Sequence, residues 1–398
     1  MPTSPSSHRT PAAPPRRLAR LPQALGLLLA AGLGLAQAEL PVEQTRIEPL
    51  APATPERIYL TDPVMPHLVD GRVIVIDGQK MKRLAVIGSG FSALTTLSPD
   101  RQWLYVATTY HSRLQRGTRT DVVEVYRTDD LTFSHEIEIP PKHAQGLPIK
   151  ALMQTSADGR FLLIQNATPA TSVTVVDTQA RKVTAEIANP GCWGAIPWPQ
   201  ASTRFSTVCG DGTLQTFDLS ATGTPAGSQR SARFFDPDKE PLFMHYSLQG
   251  STMTMVGFYG AVQQITLEGD APRFATPWNF IREADRKQGW RPSGFQLFEV
   301  VGGQLIVGMH PQGAEGTHKN PAEQLWTVDL TTRTRVARTP GFGTLSMTQT
   351  REAQPKLVLL SALDNTLRVL DPAKPATMGK PLRHSEPMGE TPVYLETH

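Results

Sequence analysis

The chain has 398 residues, among them 39 Lys and Arg, 36 Asp and Glu, 35 Pro, 31 Gly and two Cys. Four arginines and no acidic residue fall within the first 38 positions, so residues 39–398 carry 35 basic against 36 acidic side chains. This near-neutral balance, without a Lys/Arg cluster, argues against nucleic acid as a partner.

Residues 1–38 have the pattern of an export signal. A basic start with four arginines precedes an apolar stretch over residues 21–35, and Ala36-Gln37-Ala38 is a small-residue cleavage site. The apolar stretch is too short for a comfortable membrane span. We therefore expect a signal peptide cleaved near Ala38, an exported protein and no membrane span. A pair of arginines leaves Sec and twin-arginine export both open.

Residues 39–56 are rich in Pro and lack a strict period, which predicts an extended N-terminal arm. Ile58–Asp62 is a candidate first strand. We expect residues 57–398 to form a single domain.

A repeated unit organises this domain, and Ser156–Asp177 shows it most clearly. Ser156-Ala157-Asp158-Gly159 is a turn, a short apolar strand follows, and a second strand rich in β-branched residues ends at Asp177. This closing strand recurs at Val73–Asp77, Val122–Tyr126, Leu214–Asp218, Val262–Leu267, Leu325–Asp329 and Leu367–Asp371. The spacing suits four-stranded blades of roughly 40–50 residues. We predict an all-β fold, a seven-bladed β-propeller with an N-terminal arm. A solenoid of the same units would need polar capping repeats, which the sequence lacks.

The segment Leu84–Leu94 imitates a dinucleotide-binding motif. Gly88, Gly90 and Ala93 fit the form G-x-G-x-x-A, but that motif needs a helix directly afterwards. Ser98-Pro99-Asp100 breaks the chain instead, so we expect a loop that joins two blade strands. Phe91 would lie at its tip, either packed or used for contact.

Three other segments depart from the strand pattern. His111–Thr120 is predicted to be a polar loop with three arginines, either solvated or docked on an acidic partner surface. Trp278–Gly294 predicts a short helix, capped by Asn279 and running through Lys287. Trp290, Arg291 and Phe295 after it would be buried packing or an interface patch. The loop Met309–Asn320 holds two histidines without a carboxylate at metal spacing, so no metal site is expected.

Cys192 and Cys209 are the only cysteines. In an exported protein, a single pair predicts a structural disulfide. No haem-attachment pair, phosphate-binding loop or hydrolase elbow is present, so the chain has no self-sufficient catalytic set.

Four stretches together resemble the heavy (α) subunit of the quinoprotein amine dehydrogenases. They are GTRTDVVEVY (117–126), the segment from Cys192-Trp193 to Gly212, QGWRPSGFQ (288–296), and MHPQGAEGTHK with VARTPGFGTLSMT (309–348). The segments MHPQGAEGTHK (309–319) and VARTPGFGTLSMT (336–348) look more like the aromatic (aralkylamine) branch than the methylamine branch.

The resemblance implies a seven-bladed propeller in a periplasmic α2β2 assembly. The cysteine-rich small β subunit would carry tryptophan tryptophylquinone, which oxidises a primary amine to aldehyde and ammonia. An azurin- or amicyanin-type blue-copper protein would accept the electrons. This chain would hold no cofactor and no catalytic residue. Phe91 matches an aromatic residue that lines the family's substrate channel, and Cys192 and Cys209 match the family disulfide.

Two other functions fit a propeller. A stand-alone enzyme of the lactonase type would need a carboxylate or metal cluster at the central funnel. A binding scaffold of the cell envelope would need neither a metal nor a quinone-bearing partner.

Overall fold

The computed structural model describes residues 50–398. The predicted signal peptide and residues 39–49 of the predicted arm lie outside the described residues.

Short antiparallel strands make up most of this part of the chain. The first half contains β1 (Ile58–Asp62), β2 (Gly71–Asp77), β3 (Lys82–Leu97), β4 (Trp103–Arg113), β5 (Arg116–Arg127), β6 (Phe133–Ile139), β7 (Met153–Thr155), β8 (Phe161–Asn166), β9 (Ser172–Asp177), β10 (Lys182–Ala188), β11 (Cys192–Trp198), β12 (Ala201–Cys209), β13 (Leu214–Leu219) and β14 (Pro225–Arg230). The second half contains β15 (Ser247–Gln249), β16 (Thr252–Val256), β17 (Ala261–Thr266), β18 (Arg273–Phe274), β19 (Trp278–Asn279), β20 (Arg291–Pro292), β21 (Phe298–Val301), β22 (Gln304–His310), β23 (Ala322–Asp329), β24 (Thr334–Gln349), β25 (Leu357–Ser361), β26 (Leu367–Leu370), β27 (Arg383–His384) and β28 (Tyr394–Thr397).

Helical structure in the described residues is confined to short segments. They comprise one α-helix, α1 (Glu283–Lys287), and four 3-10 segments: Met65–Asp70, Lys150–Leu152, Thr317–Lys319 and Pro375–Thr377. None of these helices is long and apolar enough to cross a membrane.

The strands pair in consecutive antiparallel groups. In order from the inner to the outer edge, the groups are β28-β1-β2-β3, β3-β4-β5-β6, β7-β8-β9-β10, β11-β12-β13-β14, β15-β16-β17-β18, β21-β22-β23-β24 and β24-β25-β26-β27. The long strands β3 and β24 each belong to two groups: their first part is an outer edge and their second part an inner edge. The result is an all-β, propeller-like architecture.

The hydrophobic core is divided among the contacts between successive groups. One cluster joins residues of β1, β2, β3 and β4, including Tyr59, Val73 and Val106. Another joins the last group to the first, with Leu360 and Leu367 packed on Ile58. Because each group buries apolar side chains against both neighbours, no single central core is needed at this chain length.

Ring closure joins the two ends of the described chain. The C-terminal strand β28 pairs with β1, with Ile58 opposite Thr397 and Thr61 opposite Tyr394. The C-terminus therefore supplies the inner strand of a group whose other strands come from the N-terminal side.

All seven predicted closing strands exist, but their predicted position in the repeat is wrong. They are β2, β5, β9, β13, β17, β23 and β26, and each is followed by one more strand of its group. The additional outer strand carries little apolar signal, since every residue of β14 is exposed. Ile58–Asp62 is the strand that the sequence indicated.

Two predicted loops are strands. The polar segment His111–Thr120 is the hairpin between β4 and β5, where Tyr110 faces Thr120 and His111 faces Arg119. This hairpin extends beyond the core into solvent and has no buried face. Its sequence therefore lacks the alternation of apolar and polar residues by which a strand is recognised. Leu84–Leu94 lies within β3, and β4 follows where a nucleotide motif would need a helix.

The short helix starts later than predicted. It begins at Glu283, and the Asn279 side chain caps no helix but accepts a hydrogen bond from the Ile281 amide at 2.8 Å. Phe280 and Ile281 are buried, and this turn from Asn279 to Ile281 precedes the helix. Trp290 is buried as well, as the packing interpretation predicted.

We predict that ring closure contributes strongly to stability. Leu395→Ala in β28 removes a side chain that is 1% exposed and should lower the free energy of unfolding by about 2–5 kcal/mol. The matched variant Leu382→Ala, at a leucine that is 53% exposed, should change it by about 0.5 kcal/mol. Urea denaturation of the purified chain measures both. Equal losses would show that closure by β28 contributes little.

Candidate functional site

The strand groups share one direction, which gives the molecule two distinct faces. Each inner strand begins on the side where Phe91 lies and ends on the side where Arg351 lies. We term these sides the Phe91 face and the Arg351 face.

Phe91 lies where β3 changes from its first partner strand to its second. Before this point Gly88 pairs with Arg72 of β2, and Phe91 itself pairs with Thr109 of β4. The flanking residues Gly90 and Ser92 have φ angles of 60° and 52°, a region that favours glycine. A Cβ at Gly90 would lie 2.6 Å from the Thr108 hydroxyl oxygen. The backbone around Phe91 is therefore held in one conformation.

The Phe91 ring is half-buried and faces two neighbours. The His111 ring meets it edge-on, with ring centroids 6.3 Å apart. The Ser92 hydroxyl donates to the Gly146 carbonyl at 3.1 Å, which ties the segment to the loop before β7. Phe91 is a partly exposed aromatic on a fixed backbone, rather than the tip of a free loop.

A mainly apolar depression lies on the same face. Its volume is about 360 Å³, and its lining includes Gly146, Leu147, Trp193, Phe243, Phe295 and His318. Phe91 does not line it, but Gly146 connects the two through Ser92. On the wall of the depression, burial lowers the pKa of His245 to about 3, and its Nε2 donates to the Phe298 carbonyl at 2.9 Å. His245 is therefore neutral and structural.

Large apolar side chains are exposed around this face. Met65, Tyr110, Leu114, Tyr259 and Leu363 are each between 39% and 75% exposed and lie on or beside the hairpins at this end of the strand groups. Exposed apolar side chains of this kind are available for contact with a partner, although Phe133 and Leu382 are exposed at turns of the Arg351 face.

A buried polar network supports the backbone beside Phe91. The Asp121 carboxylate accepts hydrogen bonds from Thr109 at 2.8 Å, from both nitrogens of the Arg119 fork at 2.7 and 2.6 Å, and from His143 Nδ1 at 2.5 Å. The Gln145 amide donates in turn to the Thr109 hydroxyl at 2.6 Å. Thr109 is the strand partner of Phe91, so the network fixes the strand on which Phe91 rests.

The network also determines the ionisation of Asp121. Burial alone would raise the pKa of Asp121, but the hydrogen bonds from His143 and Arg119 outweigh it and lower the pKa to about 2. Sequence reasoning missed this network, because its members lie in a hairpin and in the loop before β7. Arg119 and Asp121, two residues apart on one strand, were the only local signal.

Cys192 and Cys209 form a disulfide with an S–S distance of 2.04 Å. They face each other in the pairing of β11 with β12, beside Trp193 in the wall of the depression. The predicted disulfide is confirmed. It lies on the Phe91 face but is not in contact with Phe91.

The two histidines of the Met309–Asn320 segment do not meet at a metal site. His310 Nε2 lies 2.8 Å from the Thr317 hydroxyl, and the His318 ring lies 6.4 Å from the Phe243 ring. Within residues 50–398, no group of three or more His, Cys, Asp and Glu side chains is placed to hold a metal ion.

Comparisons with known proteins agree with this architecture. Residues 54–398 match the family model described as "Methylamine dehydrogenase heavy chain (MADH)". The chain is 27% identical to the methylamine dehydrogenase heavy chain of Methylobacillus flagellatus over 361 residues, which covers 89% of this chain and 88% of that protein. It is 28% identical to the methylamine dehydrogenase heavy chain of Paracoccus versutus over 351 residues, which covers 86% of this chain and 79% of that protein.

Solved structures with similar folds are more distant in sequence. Dihydro-heme d1 dehydrogenase NirN has a TM-score of 0.54 at 15% identity, covering 85% of this chain and 66% of that chain. Kuenenia stuttgartiensis hydrazine synthase has a TM-score of 0.50 at 14% identity, and the match covers 76% of this chain and 90% of that chain. At such identities the likeness concerns the fold alone.

We predict that Asp121→Asn destabilises the chain by about 2 kcal/mol at neutral pH, because the charge that Arg119 and His143 stabilise on Asp121 is removed. The folded-state pKa is depressed, so the stabilisation is full above the ordinary carboxyl pKa near 4 and is lost as the pH falls towards 2. Urea denaturation at several pH values should show the two proteins converging in acid. Asp129→Asn, at a carboxylate that is 60% exposed beside Arg127, is the control and should change stability by less than about 1 kcal/mol. A deficit for Asp121→Asn that does not depend on pH would contradict this assignment.

Proposed function

Because this chain belongs to the methylamine dehydrogenase heavy chain family, and is therefore the heavy subunit of a quinoprotein amine dehydrogenase, we propose a specific reaction and assembly for it. The enzyme converts aralkyl primary amines and water to aldehyde and ammonia with release of two protons, and the two electrons pass one at a time to two molecules of a blue-copper protein. The observation that carries the proposal is the family match across almost all of the described residues. The aralkyl preference rests on the resemblance of residues 309–319 and 336–348 to the aromatic branch.

We propose that the quinone lies on a cysteine-rich small subunit, in an α2β2 heterotetramer. When present, tryptophan tryptophylquinone supplies the two-electron oxidation of the amine. The quinone is made from two neighbouring tryptophans of one chain. Whether it could form in the heavy chain therefore depends on a suitable tryptophan pair there.

The tryptophan pair of this chain does not suit such a cofactor. The rings of Trp290 and Trp326 lie 5.4 Å apart, but Trp326 is fully buried and Trp290 is 8% exposed. The Trp326 Nε1 donates to the Gln324 side chain, and the guanidinium carbons of Arg335 and Arg338 lie 4.3 and 4.1 Å from its ring centroid. A substrate amine has no access to this pair, which favours a quinone on the partner subunit.

We propose that the small subunit docks on the Phe91 face. The exposed apolar residues of that face and the depression beside Trp193 support this placement. Interfaces of permanent assemblies are rich in aromatic and aliphatic side chains. Phe91 then lines the substrate channel where the two subunits meet, and it selects amines by the space that its ring leaves.

We infer that the strand groups are the seven blades of one closed propeller. Seven main core clusters each join two successive groups, including the last and the first. The inner strands β3, β7, β11, β15, β21, β24 and β28 also line a common cavity. A ring explains both features, whereas a solenoid would leave two uncovered ends.

We propose a periplasmic location. The pattern of residues 1–38 predicts export, and the disulfide between Cys192 and Cys209 suits an oxidising compartment. The mature protein would then begin near residue 39.

The division of labour between the subunits predicts the behaviour of the isolated chain. Expressed alone in the periplasm, it should fold but show no quinone absorbance and no turnover of phenylethylamine. Co-expression with a quinone-bearing small subunit should give both. Amine oxidation by the isolated chain, or a purified native assembly without a quinone-bearing partner, would contradict the proposal.

Phe91→Ala tests the channel role. Loss of the ring should change the ratio of kcat/KM for phenylethylamine to kcat/KM for methylamine by about tenfold or more, because pocket shape discriminates at that level. Quinone reduction itself should continue, since Phe91 takes no part in the chemistry. Phe133→Ala, at an aromatic that is 52% exposed and packs on Tyr126, should leave the ratio unchanged. If Phe91→Ala lowers only the melting temperature and keeps the wild-type ratio, Phe91 is packing and not a selector.

A further inference from the structure

The inner strands enclose a second cavity, on the Arg351 face. Its volume is about 250 Å³, and β3, β7, β11, β15, β21, β24 and β28 all contribute to its wall. Thr96 and Leu97, near the end of β3, line it, whereas Phe91 lies at the beginning of the inner part of that strand. At about 3.3 Å per residue, the cavity is some 15–20 Å from Phe91.

The side chain of Gln296 lies beneath this cavity. Its amide donates to the Leu395 carbonyl at 2.8 Å, and its carbonyl oxygen accepts from the Leu395 amide at 2.6 Å. Gln296 lines this cavity, while the neighbouring Phe295 lines the depression on the opposite face. Adjacent residues of the chain thus line the two spaces.

Five charged side chains line the cavity, and positive charge is in excess. Arg101 pairs with Glu396 at 3.2 Å, with both side chains 15% exposed. Glu299 is buried and accepts a hydrogen bond from the Ser247 hydroxyl at 2.8 Å. Lys150 and Arg351 are the remaining two. Three cations thus face two carboxylates.

Lys150 and Arg351 are the cations without a direct partner. Within residues 50–398, neither makes an ion pair with a carboxylate. Lys150 Nζ lies 3.5 Å from the Tyr246 carbonyl and 4.7 Å from the centre of the Tyr246 ring, which are weak contacts for an ammonium group. Arg351 is exposed at the mouth of the cavity.

The electrostatic environment agrees with this arrangement. Burial lowers the pKa of Lys150, and Glu299 compensates only in part. Partial desolvation at the mouth lowers the pKa of Arg351 and Arg101 adds to this effect, whereas Glu396 and Glu299 act in the opposite direction. A partly buried ammonium group that is compensated only in part is costly, and an oxyanion that accepts from Lys150 would relieve that cost, while the exposed Arg351 can reach the same oxyanion from the mouth.

We propose that this cavity binds a small, multiply charged oxyanion, held between the Lys150 ammonium and the Arg351 guanidinium. Lys150 acts as a point charge at depth, and Arg351 presents its planar fork at the mouth, a geometry suited to phosphate or carboxylate oxygens. The volume suits a ligand of a few heavy atoms and not a folded partner. The site concerns neither the quinone nor the amine, so it is independent of the proposed reaction.

Calorimetric titration of the purified heavy–small subunit assembly tests this site. Inorganic phosphate and citrate serve as separate probes at constant ionic strength, and together they distinguish phosphate from carboxylate ligands. We expect one site per heavy chain for at least one probe. Lys150→Met and Arg351→Gln should each weaken that binding at least about tenfold, the loss of a charge-assisted contact.

Two controls separate loss of the site from loss of the fold. Lys80→Gln removes a lysine that is 76% exposed on the outer turn after β2 and should keep the wild-type Kd. Lys150→Met should raise the melting temperature without anion, because an unpaired, partly desolvated cation is removed. The proposal is overturned if the wild-type assembly binds neither probe at millimolar concentration. Equal affinity of the wild type, Lys150→Met and Arg351→Gln would overturn it as well.

Discussion

The pairing of β28 with β1 is the constraint on which the rest of the structure depends. It brings residues more than 300 positions apart into one strand group, with Tyr59 hydrogen-bonded to His398 at 3.0 Å. Asp62 strengthens the closure, since its buried carboxylate accepts from the amides of Glu390 at 2.7 Å and Thr391 at 3.1 Å. Without this contact the first and last strand groups would each expose an apolar side.

Closure also gives the two faces their different character. Inner strands that all run the same way collect one set of hairpins on the Phe91 face and the other set on the Arg351 face. The first face exposes single apolar side chains among polar hairpin residues and has a mainly apolar depression. The second opens into a cavity with charged walls. One fold therefore offers a surface for a protein partner and, on the opposite side, a pocket for a small charged ligand.

The strands that end in Asp could be predicted from the sequence for a physical reason. In most of them the carboxylate accepts backbone hydrogen bonds in the following turn: Asp177 does so from Gln179 and Ala180, and Asp77, Asp329 and Asp371 behave in the same way. Asp218 is the exception, because it accepts from the Arg204 side chain instead. Such Asx turns are local, so they leave a mark in the sequence. The apolar strands before them are buried on both faces and give an equally clear signal.

Other features have no local signature. The outer strand β14 reads PAGSQR and is exposed throughout, so only pairing with β13 makes it a strand. Closure by β28 is a contact between chain ends, which no periodicity reveals.

The candidate sites divide in the same way. The glycines beside Phe91 indicated a tight backbone, and Gly90 does have a positive φ angle. The presence of only two cysteines was enough to predict the disulfide. The Asp121 network and the cation-rich cavity could not be predicted, because their members come from distant strands and meet only in the folded ring. Lys150 and Arg351, for example, are ordinary loop residues in the sequence.

The central claim is that the Phe91 face receives the quinone-bearing small subunit. Hydrogen–deuterium exchange of the heavy chain, alone and in the assembly, tests it most directly. We expect slower exchange in the assembly at residues 110–120 and 361–366, which form hairpins of the Phe91 face. Exchange should be unchanged at residues 127–132 and 177–181, the turns of the Arg351 face. Protection confined to the latter turns would contradict the account.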